Sequence, residues 1–342
     1  MTKPNKYEVQ RLGSFDELEE WDRFVDESPQ GCIFCRSWWL RPVCADAFEI
    51  LTLKRGGRIV AGMPMVVSRE LGQRLIHMPR LTQMLGALLP PATRDSYVAN
   101  LSSKMEILSE LVKAIPRFSL FSMNFHYNFR NWLPFYWAGY RQTTRYTYVI
   151  ADLTDLDAVF QGFSKRAKQH VRRARRLGVT VQRSENLEDF LELHEMTFAR
   201  QSLSMPYTRA FVEALDAACA SRRARAIHVA RDAQGRKHVA TYVVHDRKSA
   251  YLISSGGNPE LRSSGAKYLA VWEAIKFCST VSKRFDFEGS CKRNLEQHVR
   301  AFGGTQMPYF NISKDNRTAF LRGCLAIRRR AGLMLRAFGF RR

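Results

Sequence analysis

"ARAIHVARDAQGRKHVATYVVHDRKSAYLISSGG", residues 224–257, decides the fold. Three runs rich in β-branched and apolar residues are separated by Asp-Ala-Gln-Gly and His-Asp-Arg-Lys, which predicts an antiparallel meander. Just upstream, "NLEDFLELHEMTFARQ" (186–201) carries Leu187, Phe190, Leu191, His194 and Phe198 at helical spacing, and "YTRAFVEALDAACAS" (207–221) is a second helix. The first half has the same order. "SFDELEEWDRFVDESP" (14–29) reads as a helix capped by Ser14 with Glu17 three residues on, its apolar face Leu18, Trp21, Phe24 and Val25. A short helix at "RSWWLRPVCAD" (36–46) precedes "FEILTLKRGGRIVAGMPMVVSRE" (48–70), two β-rich runs joined by Arg-Gly-Gly-Arg. The hairpins "GGRIVAGMPMVV" (56–67) and "QGRKHVATYVVH" (234–245) align as a Gly turn, a basic residue and a strand carrying Val-Ala. Helix, helix, meander, twice, predicts two copies of one α/β module.

The bulk properties agree. A chain of 342 residues suits two domains, and 45% hydrophobic residues with 22 Phe, 12 Tyr and 6 Trp supply a real interior, excluding disorder. Lys and Arg outnumber Asp and Glu by 54 to 32, a formal charge of +22 that predicts an anionic partner. Seven cysteines show no disulfide frame; Cys32 and Cys35 form one C-x-x-C without a second pair at zinc spacing, so they read as small buried hydrophobes and no metal is expected. The polar N-terminus and the lack of a ~20-residue apolar run predict a cytoplasmic protein, soluble or peripheral at the inner face of the membrane.

Beyond the second meander, "NPELRSSGAKYLAVWEAIKFCSTVSKRFDFEGS" (258–290) is a Gly/Ser-rich turn, a helix and a strand, an order that can seat a phosphate at the helix N-terminus. Asp286 and Glu288 alternate with Phe285 and Phe287, so on one strand both carboxylates face the same way, where apolar surroundings would raise one pKa and suit it to general-base work. They are the catalytic candidates. The alternative for Asp286 is a structural pair with an arginine. "HYNFRNW" (126–132) is an aromatic cluster read as core or as cleft wall.

The basic stretch "FSKRAKQHVRRARRLGVTV" (163–181), with "FDFEGS" (285–290) and "VRAFGGTQMPYFNISK" (299–314), resembles the duplicated GNAT acyltransferases of the Fem-type and CelD-like branch, and "MPRLTQMLGALLPP" (78–91) is similar too. The resemblance covers roughly residues 15–314. It implies an α/β (α+β) protein of two tandem GNAT-like modules, each a mixed, largely antiparallel sheet flanked by helices. Residues 1–150 form the first module on the acceptor side, 151–315 the second with the donor and catalytic site. It implies amide formation on an amine of a cell-envelope, exopolysaccharide or lipid precursor, with no permanently bound cofactor. The co-substrate is acyl-CoA or, in a Fem-type alternative, aminoacyl-tRNA. GNAT enzymes hold the CoA pyrophosphate on Arg/Gln-x-x-Gly-x-Gly/Ala. Here Arg262 and Gly265 are in register, but Lys267 replaces Gly or Ala. The donor-binding candidates are Gly256, Gly257, Arg262, Ser263, Ser264, Gly265 and Lys267; the acceptor-binding candidates are Arg172, Arg293 and His298. The basic helix, capped by Ser164 and closed by Gly178, packs through Ala167, Val171, Ala174 and Leu177 and turns its arginines outward. Its reach extends to an anionic or lipid-linked acceptor and to tRNA phosphates; no DNA partner is expected. A competing class is a nucleic-acid binder or scaffold with an inactive acyltransferase fold.

Residues 316–342 form a separate signal. From Arg317 onward there are eight arginines, no lysine and no acidic residue. Arg322, Arg329 and Arg336 repeat opposite an apolar stripe that includes Phe338, the pattern of an amphipathic helix on an anionic membrane.

Overall fold

A computed structural model of the chain describes residues 6–93, 95–289 and 291–317. The first half runs β1 (Glu8–Leu12), α1 (Phe15–Glu27), α2 (Ser37–Cys44), β2 (Phe48–Arg55), β3 (Arg58–Glu70), β4 (Gln73–His77), α3 (Tyr97–Ala114), β5 (Leu120–Asn124), α4 (Leu133–Trp137) and β6 (Arg141–Ile150). The second runs α5 (Leu156–Gly162), α6 (Lys165–Arg176), β7 (Thr180–Ser184), α7 (Glu188–Arg200), α8 (Arg209–Ala220), β8 (Arg225–Arg231), β9 (Lys237–His245), β10 (Ser249–Gly257), α9 (Ala266–Cys278), β11 (Arg284–Asp286), α10 (Arg293–Arg300) and β12 (Thr305–Asp315). Local signals explain several boundaries. Ser14 and Glu17 form a reciprocal capping box on α1. Gly56 and Gly57 both take positive φ in the β2–β3 turn, where a side chain would be strained. Ser164 caps α6, whose Ala167, Val171 and Ala174 are buried as the stripe predicts. Leu177 is a correction: it is the C-cap residue, is 53% exposed and packs no core.

The twelve strands of the described residues join one sheet in the order β1-β2-β3-β4-β5-β12-β6-β11-β10-β9-β8-β7. Read inward from either end, the pairings repeat. Three antiparallel ladders lead to one parallel ladder (β4–β5 and β10–β11), then one antiparallel ladder (β5–β12 and β11–β6). At the centre β6 and β12 pair antiparallel over Arg141–Val149 and Thr305–Ser313. Each half therefore gives its last strand to the other half. The division at residue 150 marks the repeat along the chain, but the two modules share one sheet. Helix packing also crosses the boundary: α2 meets α8, with Arg222 over the Trp38 ring at 4.9 Å. The Lys248 ammonium donates to the carbonyls of Val25 (2.9 Å), Ser28 (2.7 Å) and Gly31 (3.2 Å), joining the β9–β10 turn to the end of α1.

α7 packs on β10 and β9 within a large core that includes Phe190, Leu191, Leu215 and Tyr242. α6 and α9 pack on the other face, around Phe163, Val171, Trp272, Phe285 and Phe302. β10 pairs with β11 only over Ser249–Tyr251, so the two strands diverge from Leu252 onward, beside an irregularity between Leu252 and Ser254. The matching gap in the first half is filled. Leu85 bridges Phe125, and Leu88 exchanges hydrogen bonds with Gly62 of β3, so residues 78–89 run where β4 has ended.

Among the described residues no helix is long and apolar enough to cross a membrane. Apart from its first residues, 316 and 317, the basic C-terminal segment with Arg322, Arg329, Arg336 and Phe338 lies outside the described residues.

Candidate active site

The gap between β10 and β11 opens into a cavity of about 200 Å³, walled by Ser254, Lys267, Val271, Glu288, His298 and Phe302. A second cavity, of about 440 Å³, lies between the halves and is lined by Thr82, Gln83, Asn124, Arg145, Glu288, Lys292 and Tyr309 among others. Glu288 and Gly289 belong to both walls. The two cavities meet at Glu288.

Glu288 reaches that position through an irregular backbone, which corrects the strand expectation. β11 stops at Asp286, and Glu288 takes φ +56, a left-handed conformation uncommon for a residue with a side chain. Asp286 holds the turn. It is fully buried, and its Oδ1 accepts from the Thr147 hydroxyl and from the Glu288 backbone N–H at 2.7 Å. It pairs with no arginine among the described residues. Gly289 follows at φ +44, and a Cβ there would collide with Tyr146 O of β6. The exchanged strand thus forms the seat of the turn.

The site holds two polar atoms that are closed off and have no hydrogen-bond partner among the described residues, Glu288 Oε1 and His298 Nε2. Unpaired buried groups are costly and mark places where a ligand can supply the partner. Burial pushes the Asp286 carboxyl up to about 6. Burial, with the Asp286 charge beside it, raises Glu288 well above the usual carboxylate range. Burial, with Arg262 and Arg200 nearby, lowers Lys267 to about 8. Burial, then Lys267 and His170, depresses His298 to about 3, so its ring is neutral. That ring packs edge-on to Tyr268 at 5.0 Å and to Phe302 at 5.6 Å.

The structure gathers Glu288, Asp286, Lys267 and His298 and leaves the other candidates elsewhere. Gly256 is needed for helix packing, since a Cβ would collide with the α7 backbone at His194, and the Gly257 N–H donates to Thr197 Oγ1 at 2.9 Å. Gly265 takes φ +83 against the α6 backbone, where a Cβ would meet His170 O. Ser264 is buried, with its Oγ 2.9 Å from His238 Nδ1. Arg262 and Ser263 are exposed on the turn before α9. Arg172 lines a separate open groove on α6 with Gln169, Arg175 and Arg176. Arg293 is exposed at the start of α10 and lines neither cavity. Residues 126–132 are mainly core: Phe129 is buried with its ring 4.7 Å from Phe125, and Tyr127 Oη accepts from Arg284 at 3.4 Å. Sequence reasoning missed Thr147, Gln83, Asn124 and Arg145. Gln83 sits in the 78–91 stretch already singled out; Arg145 carries no local signal, because only the strand exchange brings it there. Cys32 and Cys35 are buried with sulfurs 3.7 Å apart, and no cluster able to hold a metal occurs among the described residues.

Residues 161–290 match the acetyltransferase (GNAT) domain family. No curated protein matches the sequence. Among solved structures the chain is similar to FemX, at 13% identity, covering 88% of this chain and 96% of that one with a TM-score of 0.69. It is also similar to a tandem GNAT protein from the clavulanic acid biosynthesis pathway (11% identity, 92% and 99% covered, TM-score 0.53). A third is L-PGS from Bacillus licheniformis (11% identity, 92% and 96% covered, TM-score 0.50). Residues 161–290 thus carry an acetyltransferase (GNAT) domain, and the chain as a whole has the fold of FemX and of a tandem GNAT protein.

Proposed function

We propose that the protein moves an acyl group from a thioester, acyl-CoA in the first instance, to the amine of an anionic or lipid-linked envelope precursor. The carrying observation is Glu288, whose Oε1 is closed off without a hydrogen-bond partner among the described residues, at the junction of two cavities. The donor enters between β10 and β11. Among the described residues the β10 backbone beyond Tyr251 has no partner strand on its β11 side, and an extended chain with amides, such as a pantetheine arm, can pair with such an edge. The amine enters through the cavity between the halves, where Arg145 and Lys292 suit an acceptor bearing negative charge.

The chemistry follows from that placement. The amine nitrogen attacks the thioester carbonyl and forms the C–N bond, its proton passes to the Glu288 carboxylate, and the C–S bond breaks. The thiolate leaves and takes a proton from solvent. A base raised by burial accepts a proton more readily than an ordinary carboxylate, and holding both reactants at one point supplies much of the rate. Asp286 is a positioning residue, since it fixes the turn that aims Glu288. The test of the donor is thermal unfolding with CoA and acetyl-CoA: ligand at ~100 times its Kd adds roughly 2.7 kcal/mol. No stabilisation by either would remove the CoA reading.

A second reading, aminoacyl-tRNA as donor, is favoured by the arginine-lined groove on α6, which lies on the helix whose backbone touches the α9 turn. Salt-dependent binding of charged tRNA without CoA binding would select it. The basic segment 316–342 is proposed to bring the enzyme to an anionic membrane on the cytoplasmic side. Equal flotation of full-length and truncated protein with anionic liposomes would overturn that part.

A further inference from the structure

The short helix α4 buries Pro134 and Phe135 and turns Leu133, Tyr136 and Trp137 to solvent, at 42%, 58% and 61% exposure. Of the chain's six tryptophans, Trp137 alone is exposed. The half-buried Trp132 ring stands edge-on to Tyr136 at 5.4 Å. Large apolar side chains gathered on one short helix mark an interaction surface, where single scattered ones would not.

The surroundings are basic. Residues 111–151 contain no Asp or Glu and carry Lys113, Arg117, Arg130, Arg141 and Arg145. Ala138, the C-cap of α4, lines a hollow of about 440 Å³ with apolar Ile115, Phe118 and Tyr140 and with Lys113, Arg117 and Lys314. The Lys314 ammonium lies 5.2 Å over the Tyr140 ring and donates to Ala138 O at 2.7 Å. The carboxylates that flank this region in the chain are engaged, Glu110 with Lys113 and Asp315 with Arg317, each at 2.7 Å. Arg117, Arg130 and Arg141 are exposed and make no ion pair among the described residues. Asn316 also lines the hollow, so the arginine-rich segment 316–342 starts from this same face.

Charge selects the occupant. A second copy would set the face against itself, arginine to arginine. Segment 316–342 is repelled as well, having eight arginines and no acidic residue from Arg317 onward. An anionic lipid surface meets every feature: phosphates for the cations, and an interfacial layer in which Trp and Tyr rings settle beside apolar Leu133. We propose that α4 and the hollow beside it are the part of the folded body that lies on an anionic membrane, with the Tyr136 and Trp137 rings at headgroup level and a lipid phosphate at the hollow. This extends the membrane reading of residues 316–342 from the tail to the folded body, and the experiment separates the two.

The full chain is mixed with vesicles of phosphatidylcholine alone, or with one part in about three of phosphatidylglycerol, and followed by flotation. Tryptophan emission is read in parallel with lipids brominated near the headgroup end of the acyl chain. The expected result is flotation with anionic vesicles and quenching by the brominated lipid, and Trp137→Phe should float equally while losing most of that quenching. Tyr136→Ser with Trp137→Ser should weaken binding by about tenfold or more. Arg117→Gln should weaken it by about fivefold, on anionic vesicles only, and serves if the serine pair does not fold by circular dichroism. Arg322→Gln, Arg329→Gln and Arg336→Gln together report on the tail: quenching of Trp137 that persists in this variant supports the inference whatever becomes of the tail reading. Flotation of the full chain with no quenching of Trp137 overturns the inference and leaves the tail reading in place. A chain that is dimeric by gel filtration and monomeric as the serine pair also overturns it, because the face then covers a second copy. No flotation on anionic vesicles removes both readings.

Discussion

The two halves share one strand pattern and differ at one place. In the second half the gap between β10 and β11 is open, roofed by a short turn and α9; in the first half residues 78–89 fill the gap between β4 and β5. The filling is well packed: Met84, Leu85 and Leu88 are buried, and the Asn124 N–H donates to Met78 Sδ at 3.3 Å. The two halves thus share one scaffold, open in one and filled in the other. Gln83, on the filling segment, lines the cavity between the halves.

The harshest way to break the comparison is to separate the halves. Residues 1–150 and 151–315 expressed apart should each fail to fold, because β5 and β11 lose the neighbours that β12 and β6 provide; co-expression of the two should restore a complex. Circular dichroism and gel filtration decide it, and an independently folded half would show that the exchange is dispensable. Glu288→Gln comes next. It should lower kcat by about 10²- to 10⁴-fold, the usual worth of a general base, with CoA affinity retained. Equal turnover would move the base elsewhere. Gly265→Val tests packing against α6. With φ +83 and His170 O in the way of a Cβ, it should cost more than about 2 kcal/mol, read by denaturant unfolding, so loss of CoA binding in this variant would not by itself locate the donor. The smallest expected effect concerns Asp286. Its folded pKa, about 6, lies above the ordinary 3.8, so the fold favours the protonated form. That contribution is complete below pH ~3.8 and is lost as pH rises through about 6. His298, depressed to about 3, acts oppositely as pH falls below 6.5. The useful reading is therefore the difference between unaltered protein and Asp286→Asn, which should grow between pH 4 and 7 in the variant's favour.

Much of this was legible in the sequence because it is local. The capping box at Ser14, the Gly56-Gly57 turn, the stripe of α6 and the repeated order of helices and meander depend on neighbours within a few residues. The exchange of β6 and β12 depends on pairing between residues about 160 apart, which no periodicity records. The site was half legible for the same reason. Glu288, Asp286, Lys267 and His298 lie in one stretch near the second-half turn, whereas Thr147, Arg145 and Gln83 arrive through the exchanged strand and the filling segment. The alternation rule failed at Glu288 because the chain leaves the strand there for a strained turn, and local rules tend to fail at functional positions. Gly256 and Gly265 were donor-binding candidates, Gly265 by its register in the pyrophosphate loop; both approach a helix backbone closely.

The strand exchange also has a consequence in time. β5 ends at Asn124, and its outer neighbour β12 ends at Asp315, roughly 190 residues later. At about 5–20 residues per second, the ribosome leaves that edge uncovered for about 10–40 s. An exposed edge is a template for wrong pairing, so the nascent first half depends on a chaperone or on temporary cover from its own β6 until the last strand arrives.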